Sequence, residues 1–288
     1  MIQHLIDKKR AQASFNKASD SYEEAAVLQK HVLGEMFLRL KLLKINPKRI
    51  LDLGCGPGNA GSDFKAFYKP HDLIYLDFAF NMIKKAEVKN KDHYFKVFSS
   101  GTTQQFICAD MEAIPLIENS VDMVWSNLSL QWCNDLDRVF TQIAEILTHN
   151  GLFIFSTFGP STLHELRASL ASFSQNSHIN QFIDMHDIGD ALIRCGLSDP
   201  VLDVDIYKLT YGTFKEIIYD LKCIGARNAL QGRAKGMTGK GFLYQLEKLY
   251  EIYRADEKLP VSYEVVYGHA WKMNKPLNES SVIKFYSK

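Results

Sequence analysis

The stretch that decides the fold reads Leu51-Asp52-Leu53-Gly54-Cys55-Gly56-Pro57-Gly58. A short apolar segment that starts at Arg49 runs directly into these glycines, which predicts a buried strand followed by a tight turn. Glycine has no Cβ and tolerates positive φ, so such a turn lets the backbone approach a ligand closely. The alternative is a structural turn with Asp52 as a helix cap. The glycines alone leave both interpretations open.

Around this stretch, short apolar segments alternate with segments of helical periodicity. Strands are predicted at 49–53, 73–76, 105–108, 121–125 and 151–155, with helices at 60–68, 80–87 and 135–147 and an irregular loop at 90–104. Alternating strands and helices are typical of βαβ units, which build a parallel sheet with right-handed crossovers. With two later strands at 201–211 and 262–272, the sequence predicts an α/β fold with a Rossmann-like, mostly parallel sheet of seven strands.

The two flanks of this pattern are helical. Periodicity over 8–45 predicts an N-terminal helical lid within residues 1–46, and helices are again expected at 161–196, 213–225 and 241–254. The resulting division has a core at 47–159 and 197–272, helical substrate-cap inserts at 160–196 and 213–260, and a flexible tail at 273–288.

Polar residues follow four predicted strands, namely Asp52, Asp77, Asp110 and Asn127. Open α/β sheets bind ligands at this carboxyl edge. A carboxylate at Asp52 is a poor neighbour for a pyrophosphate and a good one for a cationic amino acid. Asp77 can accept both ribose hydroxyls, a role compatible with capping the next helix, and Asp110 can accept an adenine amino group. The order of these residues along the chain therefore indicates S-adenosylmethionine as the cofactor, because its ammonium and sulfonium groups are positively charged.

Composition narrows the class of protein. The formal net charge is +1 and there is no long basic block, so a nucleic-acid partner is not indicated. No apolar run approaches the ~18 residues of a membrane span, and residues 1–10 lack the apolar stretch of a signal peptide. The five dispersed cysteines predict reduced thiols, with neither a disulfide frame nor a metal site. We expect a cytoplasmic protein.

Over residues 10–157 the pattern resembles the class I methyltransferases. The resemblance implies that Asp52, Gly54 and Gly56 hold the methionine moiety, Asp77 the ribose, and Asp110 with Met111 the adenine, and Asn127 completes the cofactor set. Phe15 and Tyr22 would lie on a helix that lids the cofactor, Tyr22 being also a candidate for orienting the substrate. Plain core packing of an amphipathic helix is the alternative for both aromatic residues.

The second half of the chain resembles a narrower family. Its segments are Ser126 to Trp132, Phe155 to Arg167, Phe182 to Leu192, Lys222 to Asn228, Met237 to Lys240 and Tyr263 to Trp271. They are similar to the malonyl-acyl-carrier-protein O-methyltransferases of biotin synthesis. The resemblance implies methylation of the free carboxylate of a malonyl thioester carried by an acyl-carrier protein. A carboxylate is already a nucleophile, so the enzyme must orient and desolvate it and needs no general base.

One cation is expected to hold the malonyl carboxylate or its thioester carbonyl. The candidates are Arg227, which would also orient the substrate for catalysis, Arg167, Arg233 and His186. Each has an alternative: Arg227 can complement a helix dipole, Arg167 can belong to a solvated face, and His186 beside Asp187 can cap or join helices.

Three other functions stay open on the residues. A mitochondrial arginine hydroxylase that assists complex I assembly shares the stretch from Phe158 to Arg167. A cofactor-free, methyltransferase-like binding protein would share the fold, although the intact acidic and glycine positions argue against it. Base-flipping nucleic-acid methyltransferases often carry Asn-Pro-Pro-aromatic after the fourth strand, where this chain has Asn127-Leu128-Ser129-Leu130.

Overall fold

The computed structural model describes residues 5–91, 101–173, 179–224 and 240–273. Seven strands form one sheet in the order β3-β2-β1-β4-β5-β7-β6. Neighbouring strands are parallel except β7, which runs antiparallel to β5 and β6. The strand order reverses between β1 and β4, which confirms the predicted Rossmann-like sheet. The strands are β1 Arg49–Leu53, β2 Asp72–Asp77, β3 Thr103–Cys108, β4 Val121–Asn127, β5 Leu147–Phe158, β6 Ser198–Tyr211 and β7 Leu259–Trp271.

Ten α-helices flank this sheet in the described ranges. They are α1 Lys8–Ala18, α2 Tyr22–Ala25, α3 Val27–Leu40, α4 Gly61–Phe67, α5 Phe80–Asn90, α6 Leu136–Ile146, α7 His164–Ala171, α8 Met185–Arg194, α9 Phe214–Cys223 and α10 Lys240–Tyr250. Short 3-10 helices lie at Met111–Ala113, Leu130–Trp132 and Glu251–Tyr253. None of the helices in these ranges is long and apolar enough to cross a bilayer.

The helix predicted over 8–45 is interrupted twice. Helix α1 ends where Ser19, Asp20 and Ser21 form a turn, since short polar side chains compete for backbone hydrogen bonds. Helices α1 and α2 lie over the carboxyl edge. Helix α3 reaches the same edge with Gln29 and Leu33, but its later part buries its apolar side against the sheet, with the Phe37 and Trp125 ring centroids 4.6 Å apart. The expectation of one lid over all of 1–46 therefore does not describe the later part of α3.

The segment 160–196, expected to form a cap insert, contains two helices that pack on opposite faces of the sheet. Helix α8 buries Ile188 and Leu192 in the same apolar cluster as Val139 and Phe140 of α6. It therefore belongs to the layer on one face of the sheet, and not to a cap. Helix α7 packs on the opposite face with α10 and β7. Of the expected tail at 273–288, all but Met273 lies outside the described residues.

Strands β6 and β7 continue beyond the end of β5. Phe158 at the end of β5 pairs with Val265, whereas β7 pairs with β6 as far as Leu259 and Tyr211. We call this extension, residues 206–211 and 259–264, the ribbon. The helices on either side of the ribbon are tied to it, because Tyr211 donates to Asp220 of α9 and Tyr250 of α10 donates to the Pro260 carbonyl.

Candidate functional site

The glycine turn has the geometry that its sequence predicts. Gly54, Gly56 and Gly58 all have positive φ, and the amides of Gly54 and Cys55 donate to the Leu76 carbonyl of β2. A Cβ on Gly54 would stand 2.4 Å from the Cβ of Ser129. The turn is thus pinned between the ends of β2 and β4, and no side chain larger than hydrogen fits at its first glycine.

Asp77 anchors the same turn from the end of β2. Its Oδ2 accepts from the Gly56 amide at 2.9 Å, and its Oδ1 accepts from the Ala79 amide at 2.7 Å. Burial raises the pKa of Asp77 to about 6, although both hydrogen bonds oppose that shift. Asp77 therefore holds the glycine turn and the backbone at Ala79, the N-cap residue of α5, but it does not cap that helix as the sequence suggested, since no side chain caps α5 in the described residues.

Asp52 is almost completely buried, with 3% of its surface exposed. Burial, and then the charge of Asp77, raise the pKa of Asp52 to about 8. No ion pair within the described ranges supplies a cation to this carboxylate. A buried carboxylate without a cation is costly, so this position favours a positively charged ligand.

A cavity of about 560 Å³ opens beside the turn at the carboxyl edge. Most of the predicted cofactor residues line it, namely Phe15, Tyr22, Gly54, Gly56, Asp77, Asp110, Met111 and Asn127. Asp52 lines a second cavity of about 390 Å³, which shares Tyr22, Gly54, Gly56 and Asn127 with the first. The two cavities are therefore contiguous, and the structure brings all nine predicted cofactor residues together.

Besides Asp77, Asn127 and Asp110 also have hydrogen-bond partners within the protein. Asn127 donates from Nδ2 to the Gln29 carbonyl and accepts from the Ser156 hydroxyl at Oδ1. Its amide thus joins α3 to the ends of β4 and β5. Asp110 accepts at Oδ1 from the Glu112 amide and caps the 3-10 helix that contains Met111.

The two lid aromatics take different positions. Phe15 of α1 packs edge-on against Trp132 and Phe78, with centroids 5.0 and 5.7 Å away. Tyr22 of α2 lies over the turn, with its ring 4.0 Å from where a Cβ of Gly56 would stand. Burial and the charge of Asp77 raise the pKa of the Tyr22 hydroxyl. Both aromatic residues cover the cavity and do not belong to the sheet core.

Several residues that line the first cavity were not predicted from the sequence, among them Lys8, Phe78, Met82, Ser129 and Trp132. Lys8 is the only cation among the described residues of that lining. The Ser129 hydroxyl donates to the Leu53 carbonyl and lies 2.5 Å from the Ser126 hydroxyl. Ser129 and Trp132 fall within the segment quoted above for the family, and a single lysine at the start of a helix gives no local signal.

The comparisons with known proteins agree with this geometry. A family model described as a methyltransferase domain matches residues 51–155. The malonyl-[acyl-carrier protein] O-methyltransferase of Methylovorus sp. is 46% identical over 93% of this chain and 90% of its own length. The enzyme of the same name from Gallionella capsiferriformans is 43% identical over 99% of this chain and 98% of its own length. The chain belongs to the malonyl-[acyl-carrier protein] O-methyltransferase family.

Solved structures with low sequence identity share the fold. The YcgJ protein of Bacillus subtilis covers 85% of this chain and all of its own with a TM-score of 0.58 at 15% identity. Phosphoethanolamine N-methyltransferase 2 of Haemonchus contortus covers 84% of this chain and 53% of its own with a TM-score of 0.51 at 17% identity. As a member of its family, the chain is an O-methyltransferase that uses S-adenosylmethionine.

The structure describes two of the four cations predicted to bind substrate in this O-methyltransferase. Arg167 of α7 is partly buried, and among the described residues its Nη2 donates to the carbonyls of Thr162 and Asn180, both at 3.4 Å. His186 is exposed at the start of α8, where its Nδ1 lies 2.7 Å from Oδ1 of Asp184, the residue that caps this helix. Arg227 and Arg233 lie outside the described residues.

Proposed function

We propose that this enzyme methylates the free carboxylate of a malonyl thioester carried by an acyl-carrier protein. The observation that carries the proposal is a buried carboxylate, Asp52, that faces a cavity beside a glycine turn without a cation of its own. Relatives named malonyl-[acyl-carrier protein] O-methyltransferase, which match almost the whole chain, support the choice of substrate.

The residues around the two cavities fit S-adenosylmethionine in a definite order. Asp52 with the turn at Gly54 and Gly56 would hold the amino-acid part, because a buried carboxylate favours an ammonium. Asp77 would accept the ribose hydroxyls, and Asp110 with Met111 would hold the adenine. When bound, S-adenosylmethionine would supply an electrophilic methyl group, whose bond to sulfur breaks as a nucleophilic oxygen bonds to the methyl carbon and S-adenosylhomocysteine leaves.

The chain's own contribution is orientation and exclusion of water. The lid aromatics Phe15 and Tyr22 cover the cavity, and an enclosed site strengthens the attraction that aligns a carboxylate with a positive centre. No side chain has to remove a proton, because a malonyl carboxylate is ionised at neutral pH.

Among the described residues, Arg167 is the best-placed candidate to hold the malonyl carboxylate. Burial lowers the pKa of its guanidinium, and its Nε is buried without a hydrogen-bond partner. It has no acidic partner in the described ranges and lies on α7, the helix that follows β5, although it lines neither of the two cavities. A partly buried guanidinium without an anion is suited to bind one bidentately.

His186 is a weaker candidate, because it is largely exposed and bonded to Asp184. Arg227 and Arg233 stay candidates on the sequence alone, because both lie outside the described residues. Replacing Arg167, Arg227 and Arg233 separately by methionine ranks the three. The residue that holds the substrate should lose turnover by roughly 10- to 100-fold, the scale of a charge-assisted hydrogen bond, while binding of S-adenosylhomocysteine stays unchanged.

Mass spectrometry of malonyl-carrier protein tests the proposed reaction. After incubation with enzyme and S-adenosylmethionine, the carrier should gain one methyl group, and the acyl group cleaved from the carrier should be the monomethyl ester of malonate. Acetyl-carrier protein, which lacks the free carboxylate, is the matched control and should stay unmodified. Malonyl-carrier protein that gains no methyl group would exclude the reaction, and malonyl-coenzyme A in parallel shows which carrier is preferred.

Two measurements separate the remaining alternatives. In isothermal titration, a cofactor-free binding protein would give no heat with S-adenosylmethionine. An arginine hydroxylase would leave malonyl-carrier protein unchanged and would instead modify arginine in a protein substrate.

A further inference from the structure

Lys8 joins the lid to the adenine end of the cavity. Its Nζ lies 3.0 Å from Asp110 Oδ1 and 2.9 Å from Glu112 Oε1. Lys8 and Asp110 both line the cavity, and the two residues are 102 positions apart in the chain. One ammonium thus bridges two neighbouring carboxylates, and one of these, Asp110, lines the cavity.

The backbone next to Lys8 is fixed independently of its side chain. The Ile6 amide donates to Asn134 Oδ1 at 2.7 Å, and Asn134 Nδ2 donates back to the Ile6 carbonyl at 3.1 Å. Further along α1, Gln12 donates to the Phe78 carbonyl. These bonds hold the start of the lid in place, so replacing the Lys8 side chain removes the charge without detaching α1.

The hydrogen bonds of Asp110 leave its two oxygens unequal. Oδ1 accepts from Lys8 and from the Glu112 amide, whereas Oδ2 receives no hydrogen bond from the described residues. We propose that Lys8 is a positioning residue that fixes the Asp110 carboxylate, so that its Oδ2 selects a 6-aminopurine and rejects a 6-oxopurine. This inference rests on the assignment of Asp110 to the adenine in the proposed function.

The selection follows from donor and acceptor chemistry. A carboxylate oxygen has only acceptor sites, so it accepts from the amino group of adenine and repels the carbonyl oxygen of hypoxanthine. Without Lys8, the charges of Asp110 and Glu112 repel each other, and the Asp110 side chain gains freedom to turn away. The bond to the amino group is then weakened, and the repulsion of a carbonyl oxygen is relieved at the same time.

Binding of S-adenosylhomocysteine and S-inosylhomocysteine, measured by titration calorimetry, tests this inference. The wild-type enzyme should prefer the adenine compound, and Lys8→Met should reduce that preference by about tenfold, the scale of one charge-assisted hydrogen bond. Lys9→Met, at an exposed neighbouring position, is the matched control and should keep the wild-type preference. Lys8→Arg keeps the positive charge and should retain most of the preference for the adenine compound.

Other results would overturn the inference. If Lys8→Met weakens both ligands equally, Lys8 only attaches the lid, and if it weakens neither, the residue has no role in binding. A wild-type enzyme that binds both compounds equally excludes the selection itself. A wild-type enzyme that binds neither compound refutes the proposed function as well, and methyl transfer to malonyl-carrier protein reports on that point separately.

Discussion

Replacing Asp77 by asparagine should separate binding from stability. In the free protein the carboxylate accepts two buried backbone amides, and an asparagine oxygen can keep one of them. Burial raises the pKa of Asp77 from 3.8 to about 6, a net shift that already includes the opposing effect of both hydrogen bonds. At 1.36 kcal/mol per pKa unit, the ionised carboxylate destabilises the folded protein by about 3 kcal/mol at neutral pH, and a neutral amide removes this penalty. The free energy of unfolding should therefore not fall, and it should rise by at most about 3 kcal/mol.

Cofactor affinity should respond much more strongly. A carboxylate that accepts ribose hydroxyls is worth roughly 1.5–3 kcal/mol, which corresponds to about 10- to 150-fold weaker binding of S-adenosylhomocysteine. Titration calorimetry and urea unfolding measure the two quantities on the same variant. Asp72→Asn, at the other end of β2, is the matched control and should leave affinity unchanged. Unchanged affinity in Asp77→Asn would remove Asp77 from the ribose site.

Three further outcomes are expected. Burial and the charge of Asp77 raise the pKa of Asp52 to about 8, so the free protein should lose stability as pH rises towards 8. Binding of the cationic cofactor should release the Asp52 proton near neutral pH. Calorimetry in two buffers of different ionisation enthalpy measures this proton release, and Asp52→Asn should abolish it. Hydrogen exchange over residues 8–26 should slow on adding S-adenosylhomocysteine, whereas equal protection with and without ligand would show that these residues are not a lid. Gly54→Ala should lower the free energy of unfolding, measured in urea, by about 2–5 kcal/mol. Gly101→Ala is the control and should lower it by about 1–2 kcal/mol, because φ is also positive there but no described atom lies within 4 Å of the added Cβ. Equal losses of stability would mean that Ser129 does not confine the turn.

The central sheet and the cofactor edge were predictable because their determinants are local. A buried strand that runs into Gly54 specifies a turn whatever lies around it, and parallel strands place the residues that follow them at one edge. Asp52, Asp77 and Asp110 could therefore be assigned to one site before any contact was known. The narrower choice of substrate came from resemblance, because no local pattern encodes a thioester.

The remaining features depend on the choice of tertiary partner. The spacing of Ile188 and Leu192 predicts an amphipathic α8, but it does not specify whether the apolar side faces α6 or a cap. Lys8 is likewise one of several lysines in a helical segment, and only the folded chain places it beside Asp110. Periodicity gives the face that is buried, whereas the surface that buries it follows from the packing of the whole chain.

The ribbon that extends β6 and β7 has a consequence for how this fold can vary. Helices α9 and α10 are hydrogen-bonded to it, so the backbone pairing of two strands determines where these two helices stand. Side chains alternate along a strand, so a one-residue slip would turn Tyr211 and Tyr263 to the opposite face. An inserted or deleted residue in the ribbon would therefore move both helices together, whereas a substitution on either helix would leave their placement intact.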